Sequence, residues 1–161
     1  MKHKFLNRLF LGLFMGLIFG ASSLTASAQN ISIDGSIGNG KLQKGKTAVA
    51  TIVLNIPGEL HINSSRPSRA GLIATRVKVT GAGLTIGKIN YPAGKMVKFQ
   101  FSDSELSVYE GRTTISFNVT VPDNFKGSVA KIRAVVNYQS CTNEVCYPPR
   151  NGDVTLSASG K

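Results

Sequence analysis

The sequence predicts an all-β protein built as an antiparallel sandwich, and three observations support this fold class. Short runs rich in Val, Ile, Thr and Phe recur along the chain, and Gly, Pro, Asn and Asp separate them. Within several runs apolar and polar residues alternate, which is typical of strands with one buried face. Helical periodicity is almost absent after residue 28. A series of short strands separated by turns favours a sandwich.

The predicted strands follow one another with turn residues between them. Pro57-Gly58 ends the first strand, and a glycine-rich turn at 81–83 ends the third. The clearest alternation places four apolar residues on one face: Ile115, Phe117, Val119 and Val121. The predicted strands cover residues 47–56, 60–63, 72–80, 84–91, 96–101, 113–121, 128–139 and 153–157. The chain has no Trp, and its two cysteines are too close in sequence to join two sheets. The prediction is therefore an immunoglobulin-like sandwich without the usual staple.

The N-terminal 28 residues have the features of a cleavable secretory signal peptide. A basic start is followed by an apolar run at 9–20 and by the cleavage sequence Ala26-Ser27-Ala28, so the mature chain is expected to begin at Gln29. A retained anchor stays open, although the apolar run is short for a membrane span. The Gly-, Ser- and Lys-rich segment 29–46 is expected to be a flexible lead-in, and 47–161 a single domain. No integral membrane segment is expected after cleavage.

The mature chain is basic. Removing Lys2, Lys4 and Arg8 lowers the formal net charge from +11 to +8. The basic residues are scattered rather than clustered, and no nucleic-acid-binding motif accompanies them. The charge is therefore interpreted as a solvated basic surface, and no nucleic-acid partner is expected.

The two cysteines, Cys141 and Cys146, occur in a polar loop after the longest predicted strand. A disulfide between them closes only a short ring. By the loop-closure entropy that it removes from the unfolded chain, it stabilises the fold by only about 2 kcal/mol. Pro148 and Pro149 stiffen the return path. A rigid, exposed disulfide is open to an incoming thiolate, so the pair is a candidate for redox exchange, with a plain structural bridge as the alternative.

Nearby charges do not decide between these two interpretations. Glu144 disfavours a thiolate, whereas Lys131, Arg133 and Arg150 favour one. His61 is the only histidine after residue 28. Nothing in the sequence puts it beside a nucleophile, and a zinc site would need it, both cysteines and a fourth ligand. No metal and no cofactor are therefore expected, and His61 is interpreted as a polar residue at a strand end.

The segment 138–149, with Tyr138, both cysteines and Tyr147-Pro148-Pro149, resembles the active-site loop of the N-terminal periplasmic domain of the DsbD family of thiol:disulfide interchange proteins. Further segments resemble that family in the same order, and the likeness covers about 47–157. These segments are 60–64 with Pro67-Ser68, 89–92 with Gly94-Lys95, and a cap segment at 101–103 and 108–111.

The resemblance implies an immunoglobulin-like domain whose cysteine pair cycles between dithiol and disulfide. It implies a thiol:disulfide oxidoreductase of the electron-relay type in the periplasm. Electrons would come from a membrane-embedded DsbD-like carrier and pass to periplasmic thioredoxin-fold oxidoreductases, including disulfide isomerases and cytochrome-maturation thioredoxins. Because this chain stops after the sandwich, the carrier is expected to be a separate protein.

The resemblance also implies roles for individual residues. Cys146 would form the mixed disulfide with partners, and Cys141 would resolve it. Tyr109, with Val108 beside it, would be the aromatic cap over the disulfide, where the family more often has Phe. The neighbours of the site would be Tyr138, Tyr147, Glu144 and His61. The rival hypothesis is a non-catalytic secreted sandwich, a binding or chaperone-like module with a structural disulfide.

Overall fold

The structure, a computed structural model, describes residues 30–160, which form twelve β-strands and no helix. The strands are β1 (Ser32–Ile37), β2 (Lys41–Leu42), β3 (Thr47–Asn55), β4 (His61–Asn63), β5 (Arg76–Thr80), β6 (Thr85–Ile86), β7 (Lys95–Val97), β8 (Leu106–Tyr109), β9 (Arg112–Thr120), β10 (Val129–Tyr138), β11 (Ser140–Cys141) and β12 (Arg150–Gly160). The all-β prediction is confirmed. The predicted signal peptide lies outside the described residues. Within 30–160 there is no helix that could span a membrane.

Three four-stranded sheets organise these strands. Their orders are β1-β3-β9-β6, β2-β12-β10-β5 and β11-β4-β8-β7. The pairs are antiparallel, apart from the short β2–β12 contact, which is parallel. The first two sheets contribute the inward side chains of one main core, so they form the sandwich that the sequence predicts.

Alternation along the long strands builds this core. On β9, Ile115, Phe117 and Val119 are fully buried, as the sequence predicts for that run. On β10 every second residue from Ala130 to Tyr138 points inward. Burying each large aliphatic side chain contributes about 1.5–3 kcal/mol, so these strands make the body of the molecule stable.

The predicted flexible lead-in at 29–46 contains ordered strands instead. β1 pairs along β3 over its whole length, and β2 pairs with the end of β12. The sequence did not predict this pairing because the segment consists mainly of polar and glycine residues. Such a composition is possible here since β1 is an edge strand and only Ile37 of its residues is fully buried. Gly35 permits the close packing, since a Cβ there would collide with the Thr51 carbonyl and the Leu156 side chain.

Several strand boundaries differ from the prediction. The run 84–91 is a strand only at Thr85–Ile86. Beyond it, the Gly87 amide donates to the Asn118 carbonyl at 2.8 Å, and Asn90 bridges Ser116. The segment from Gly87 to Asn90 therefore advances three residues while β9 advances two, from Asn118 to Ser116. The extra residue forms a bulge that ends regular pairing. Conversely, the last strand is longer than predicted, because β12 pairs along all of β10.

The third sheet lies at one end of the sandwich and consists of strands of two to four residues. All residues of β4, β8 and β11 are buried, so both faces of these strands are covered. One face contributes Ile62 and Tyr109 to the main core. The other face packs in a second, smaller cluster with Phe99, Leu106 and Val108. This sheet carries Cys141 on its edge strand β11.

Candidate functional site

The two cysteines lie at the base of a tight hairpin that continues from β10. The Thr142 amide donates to the Val145 carbonyl at 2.8 Å, and the Tyr147 amide donates to the Ser140 carbonyl at 2.9 Å. Inside the turn, the Thr142 hydroxyl oxygen accepts from the amides of Glu144 and Val145 at 3.2 and 3.1 Å. A Thr side chain that caps its own turn in this way fixes the loop without long-range packing.

Cys141 and Cys146 are joined by a disulfide, and their Cα atoms are 4.0 Å apart. The two cysteines differ in exposure. Cys141 is 1 % exposed on β11, whereas Cys146 is only half-buried and follows the exposed Val145. An approaching thiolate therefore reaches the Cys146 sulfur more readily than the Cys141 sulfur, and the bond has one accessible and one protected end.

His61 on β4 lies directly opposite Cys141 on β11. Residues opposite each other in an antiparallel pair share a face of the sheet and have Cβ atoms about 5 Å apart. His61 is 2 % exposed, and its Nε2 atom has no hydrogen-bond partner. Burial lowers the pKa of His61 below its ordinary 6.5, although the nearby Glu110 carboxylate opposes this effect. The imidazole is therefore neutral at neutral pH.

Two phenylalanines stack beside His61, and they are the site residues that the sequence analysis missed. The His61 and Phe99 rings are 4.0 Å apart between centroids and nearly parallel, and Phe101 lies 5.4 Å from Phe99 and 6.5 Å from His61. Phe99 is buried, whereas Phe101 is 38 % exposed. The available signal was Phe101 in the family-like cap segment 101–103, next to a second aromatic residue two positions earlier.

Tyr109 does not fit the cap role that the sequence analysis gave it. It lies opposite Ile62 and belongs to the main core. Its hydroxyl bonds the Ser65 hydroxyl and the Pro92 carbonyl, both at 3.0 Å. Because side chains alternate along a strand, Tyr109 faces away from the side that carries His61 and Cys141. Val108, the other predicted cap residue, does lie on the cysteine side, buried against Phe99.

The remaining predicted neighbours lie around the hairpin. Tyr138 ends β10 inside the main core, and burial raises its pKa while Arg150 lowers it. Tyr147 packs half-buried against the same core, and its carbonyl accepts from the Gln139 side chain at 3.0 Å. Glu144 is exposed at the turn.

The basic residues expected to favour a thiolate are not all close to it. Arg133 pairs with Asp153 at 3.2 Å in the middle of β10. Five strand residues, or roughly 16 Å, separate Arg133 from Tyr138 at the end of that strand. Lys131 is farther still, so only Arg150, opposite Tyr138, remains near the hairpin. Within residues 30–160, no three His, Cys, Asp or Glu side chains gather as metal ligands.

The chain resembles several solved structures at low sequence identity. No curated protein matches the chain. Among solved structures, the N-terminal periplasmic domain of ScsB from Proteus mirabilis aligns with 80% of this chain and 45% of its own, at 10% identity and a TM-score of 0.45. The GAE domain of GGA2p from Saccharomyces cerevisiae aligns with 79% of this chain and 89% of its own, at 12% identity and a TM-score of 0.43. With both TM-scores below 0.5, neither neighbour carries an argument about function.

The family comparison is decisive where the structural neighbours are not. The profile described as "Thiol:disulfide interchange protein DsbD, N-terminal" matches residues 38–158, which include β2 to β11, both cysteines and most of β12. This range contains the hairpin, the third sheet and most of the sandwich that supports them. The chain belongs to the family of N-terminal domains of the thiol:disulfide interchange protein DsbD.

Proposed function

We propose that this chain is a periplasmic thiol–disulfide exchange module that relays electrons through Cys141 and Cys146. The observation that carries the proposal is the uneven exposure of the disulfide, with Cys141 buried and Cys146 half-buried in an exposed hairpin. A bridge that served only as a clamp would add about 2 kcal/mol for so short a loop. Membership of the DsbD N-terminal family supports exchange as its role.

The exchange begins at the accessible sulfur. A thiolate of the electron donor attacks the Cys146 Sγ, a new bond forms between them, and the Cys141 sulfur leaves with the electron pair. A second thiol of the donor then attacks the mixed disulfide. The donor leaves oxidised, and both cysteines of this chain are left reduced. Two electrons have then moved to this chain.

Transfer to the acceptor repeats these steps in reverse. The Cys146 thiolate attacks the acceptor disulfide, and the Cys141 thiolate then attacks Cys146 to release the reduced acceptor. We assign the donor role to a membrane-embedded DsbD-like carrier and the acceptor role to periplasmic thioredoxin-fold oxidoreductases. Trapping free thiols by alkylation in cells should find this protein reduced when the carrier is present and oxidised when it is deleted.

We further assign the shield over the bond to Phe99 and Phe101 rather than to Tyr109. Both rings lie beside His61, which shares a face of the sheet with Cys141, and Phe101 is the exposed member of this ring cluster. Phe101→Ala should raise the rate at which dithiothreitol reduces the disulfide several-fold. Tyr109→Phe removes only the hydroxyl and is the matched control, with an unchanged rate expected. Equal rates in all three proteins would refute this assignment.

The decisive experiment separates the two cysteines. Cys141→Ser should accumulate mixed disulfides with a thioredoxin-fold partner, because the thiol that resolves them is missing. The matched variant Cys146→Ser should form none, since its remaining thiol is buried. Non-reducing gels with mass spectrometry identify the adducts. If Cys141→Ser never forms an adduct with periplasmic thioredoxin-fold proteins, or if Cys146→Ser forms as many, the relay is refuted.

A further inference from the structure

His61 presents a buried polar atom with no use in the fold. Its Nε2 has no hydrogen-bond partner although the residue is 2 % exposed. Leaving such a group unpaired costs free energy, so each instance in a native protein calls for an explanation. Stacking on Phe99 would be served equally well by a phenylalanine, which has no nitrogen to leave unpaired. The imidazole nitrogen is therefore a candidate for chemistry rather than packing.

The reacting group nearest to this imidazole along the sheet is Cys141. The two residues are opposite each other on β4 and β11, share one face and are both buried. Cys141 supplies the sulfur that leaves and later attacks in the proposed exchange. A thiol buried among apolar groups resists ionisation, yet only its thiolate can attack a mixed disulfide. The site therefore needs a group that takes the thiol proton inside the protein.

We propose that His61 accepts the proton of the reduced Cys141 thiol and so activates it to resolve the mixed disulfide on Cys146. This inference rests on the proposed function. The proton passes from the Cys141 Sγ to the Nε2 of neutral His61. The thiolate then attacks the Cys146 Sγ, the Cys141–Cys146 bond forms, and the partner's sulfur leaves with the electron pair. The imidazolium finally returns its proton to the departing thiolate or to solvent.

The charges around His61 suit a neutral base that becomes a cation only briefly. Glu110 follows β8 and favours the protonated form of His61. Lys95, from β7, binds the Glu110 carboxylate at 2.8 Å and partly neutralises it. The ring-bearing segment adds the exposed Lys98 beside Phe99. Desolvation outweighs the attraction of Glu110, so the imidazole stays unprotonated until the thiol supplies a proton.

The test follows the second step of a two-step reaction. The reduced full chain is mixed with the aromatic disulfide 5,5′-dithiobis(2-nitrobenzoate). Cys146 attacks first and releases one coloured thiolate; Cys141 then resolves the adduct and releases the second. We expect the rate of the second phase of the wild type, plotted against pH, to reach half of its maximum at a pH below the ordinary thiol pKa of about 8.5. His61→Gln, which can hydrogen-bond but not accept a proton, should slow that phase at neutral pH by about tenfold or more.

Further measurements separate proton transfer from packing. His61→Phe keeps the aromatic stack and should slow the second phase as His61→Gln does. The first phase should change less than about twofold in both variants, because it depends on Cys146 alone. A wild-type second phase in His61→Gln, or an equal loss in both phases, would overturn the inference.

A measurement on the wild type does not depend on whether the variants fold. The imidazole resonances of His61, followed by NMR against pH, should give a lower pKa in the reduced protein than in the oxidised one, because a hydrogen bond from the Cys141 thiol to Nε2 stabilises the neutral imidazole. An unchanged pKa on reduction would overturn the inference. Failure of the proposed function looks different: both reagent phases would be normal, yet Cys141→Ser would form no adduct with thioredoxin-fold proteins.

Discussion

The sandwich body and the small third sheet solve different physical problems. Strands β3, β9, β10 and β12 have nine to eleven residues and bury one face in an apolar core. Strands β4, β8 and β11 have two to four residues and are buried on both faces. Buried polar side chains concentrate in and beside the third sheet: His61, Asn63, Ser64, Ser107 and Ser140.

This difference shows how the molecule separates stability from chemistry. The body derives its free energy from apolar burial, which is insensitive to pH and redox state. The third sheet encloses groups whose burial costs free energy unless they are paired, and its edge strand β11 carries Cys141 opposite the buried His61. Apolar burial in the sandwich body offsets the free-energy cost of burying polar groups in the third sheet. Substitutions in the body should therefore change stability, and substitutions in the third sheet should change the chemistry of the cysteine pair.

The largest expected effect is on the body. Phe117 is fully buried on β9, and Phe117→Ala should lower the free energy of unfolding by about 3–5 kcal/mol. Urea denaturation measures this loss. Among molecules that remain folded, the rate of disulfide reduction by dithiothreitol should be unchanged. A changed rate would show that the two regions are coupled.

Removing the disulfide should have a smaller effect. Replacing both cysteines by serine should lower the free energy of unfolding by about 2 kcal/mol, because the bridge closes only a short loop. Thermal and urea unfolding of the double variant and the oxidised wild type give the difference. A loss as large as that of Phe117→Ala would contradict the view that the bridge serves exchange rather than architecture.

Acid should destabilise the protein through the third sheet. The pKa of His61 is below 6.5 in the folded protein and close to 6.5 in the unfolded chain. As the pH falls below 6.5, the unfolded chain therefore binds the proton first and folding stability decreases, with a slope of up to about 1.4 kcal/mol per pH unit. Urea unfolding of the oxidised protein between pH 7 and 4 measures this slope. His61→Gln should lack this contribution, and parallel curves for the two proteins would contradict it.

Removing the Thr142 hydroxyl should loosen the hairpin turn without affecting the rest of the fold. Thr142→Val keeps the shape of the side chain but removes the oxygen that accepts from the Glu144 and Val145 amides. We expect faster hydrogen exchange at those two amides and a stability loss of about 1 kcal/mol. Thr155→Val, at an exposed position on β12, is the matched control. Equal amide exchange in the two variants would show that the turn does not depend on Thr142.

The smallest effect concerns the exposed ion pair between Lys95 and Glu110. Glu110→Gln should change stability by less than about 1 kcal/mol, as is usual for a surface pair. It should nevertheless lower the pKa of His61 further, since the carboxylate favours the imidazolium. NMR titration of His61 reads this shift directly. A rise in that pKa would contradict the electrostatic account of the third sheet.

The sequence alone determined the class of the fold and the chemical pair. Alternation along 113–121 and 128–139 predicted β9 and β10 because each buries one face, and one short loop contained both cysteines. The same rule failed for strands without an alternating signal. The edge strand β1 was taken for a flexible segment, and the two-residue strand β11, buried on both sides, was taken for part of the polar cysteine loop.

Only the tertiary structure decided what surrounds the sulfurs. The register of the third sheet places His61 beside Cys141 and turns Tyr109 to the other face. In the sequence His61 and Tyr109 do not differ in this way, because each is a residue near the end of a strand. Phe99 and Phe101 joined the site through stacking across segments far apart in the chain. Local periodicity reports which side of a strand is buried, but not which strand lies next to it. That pairing depends on long-range contacts that form only when the whole chain folds.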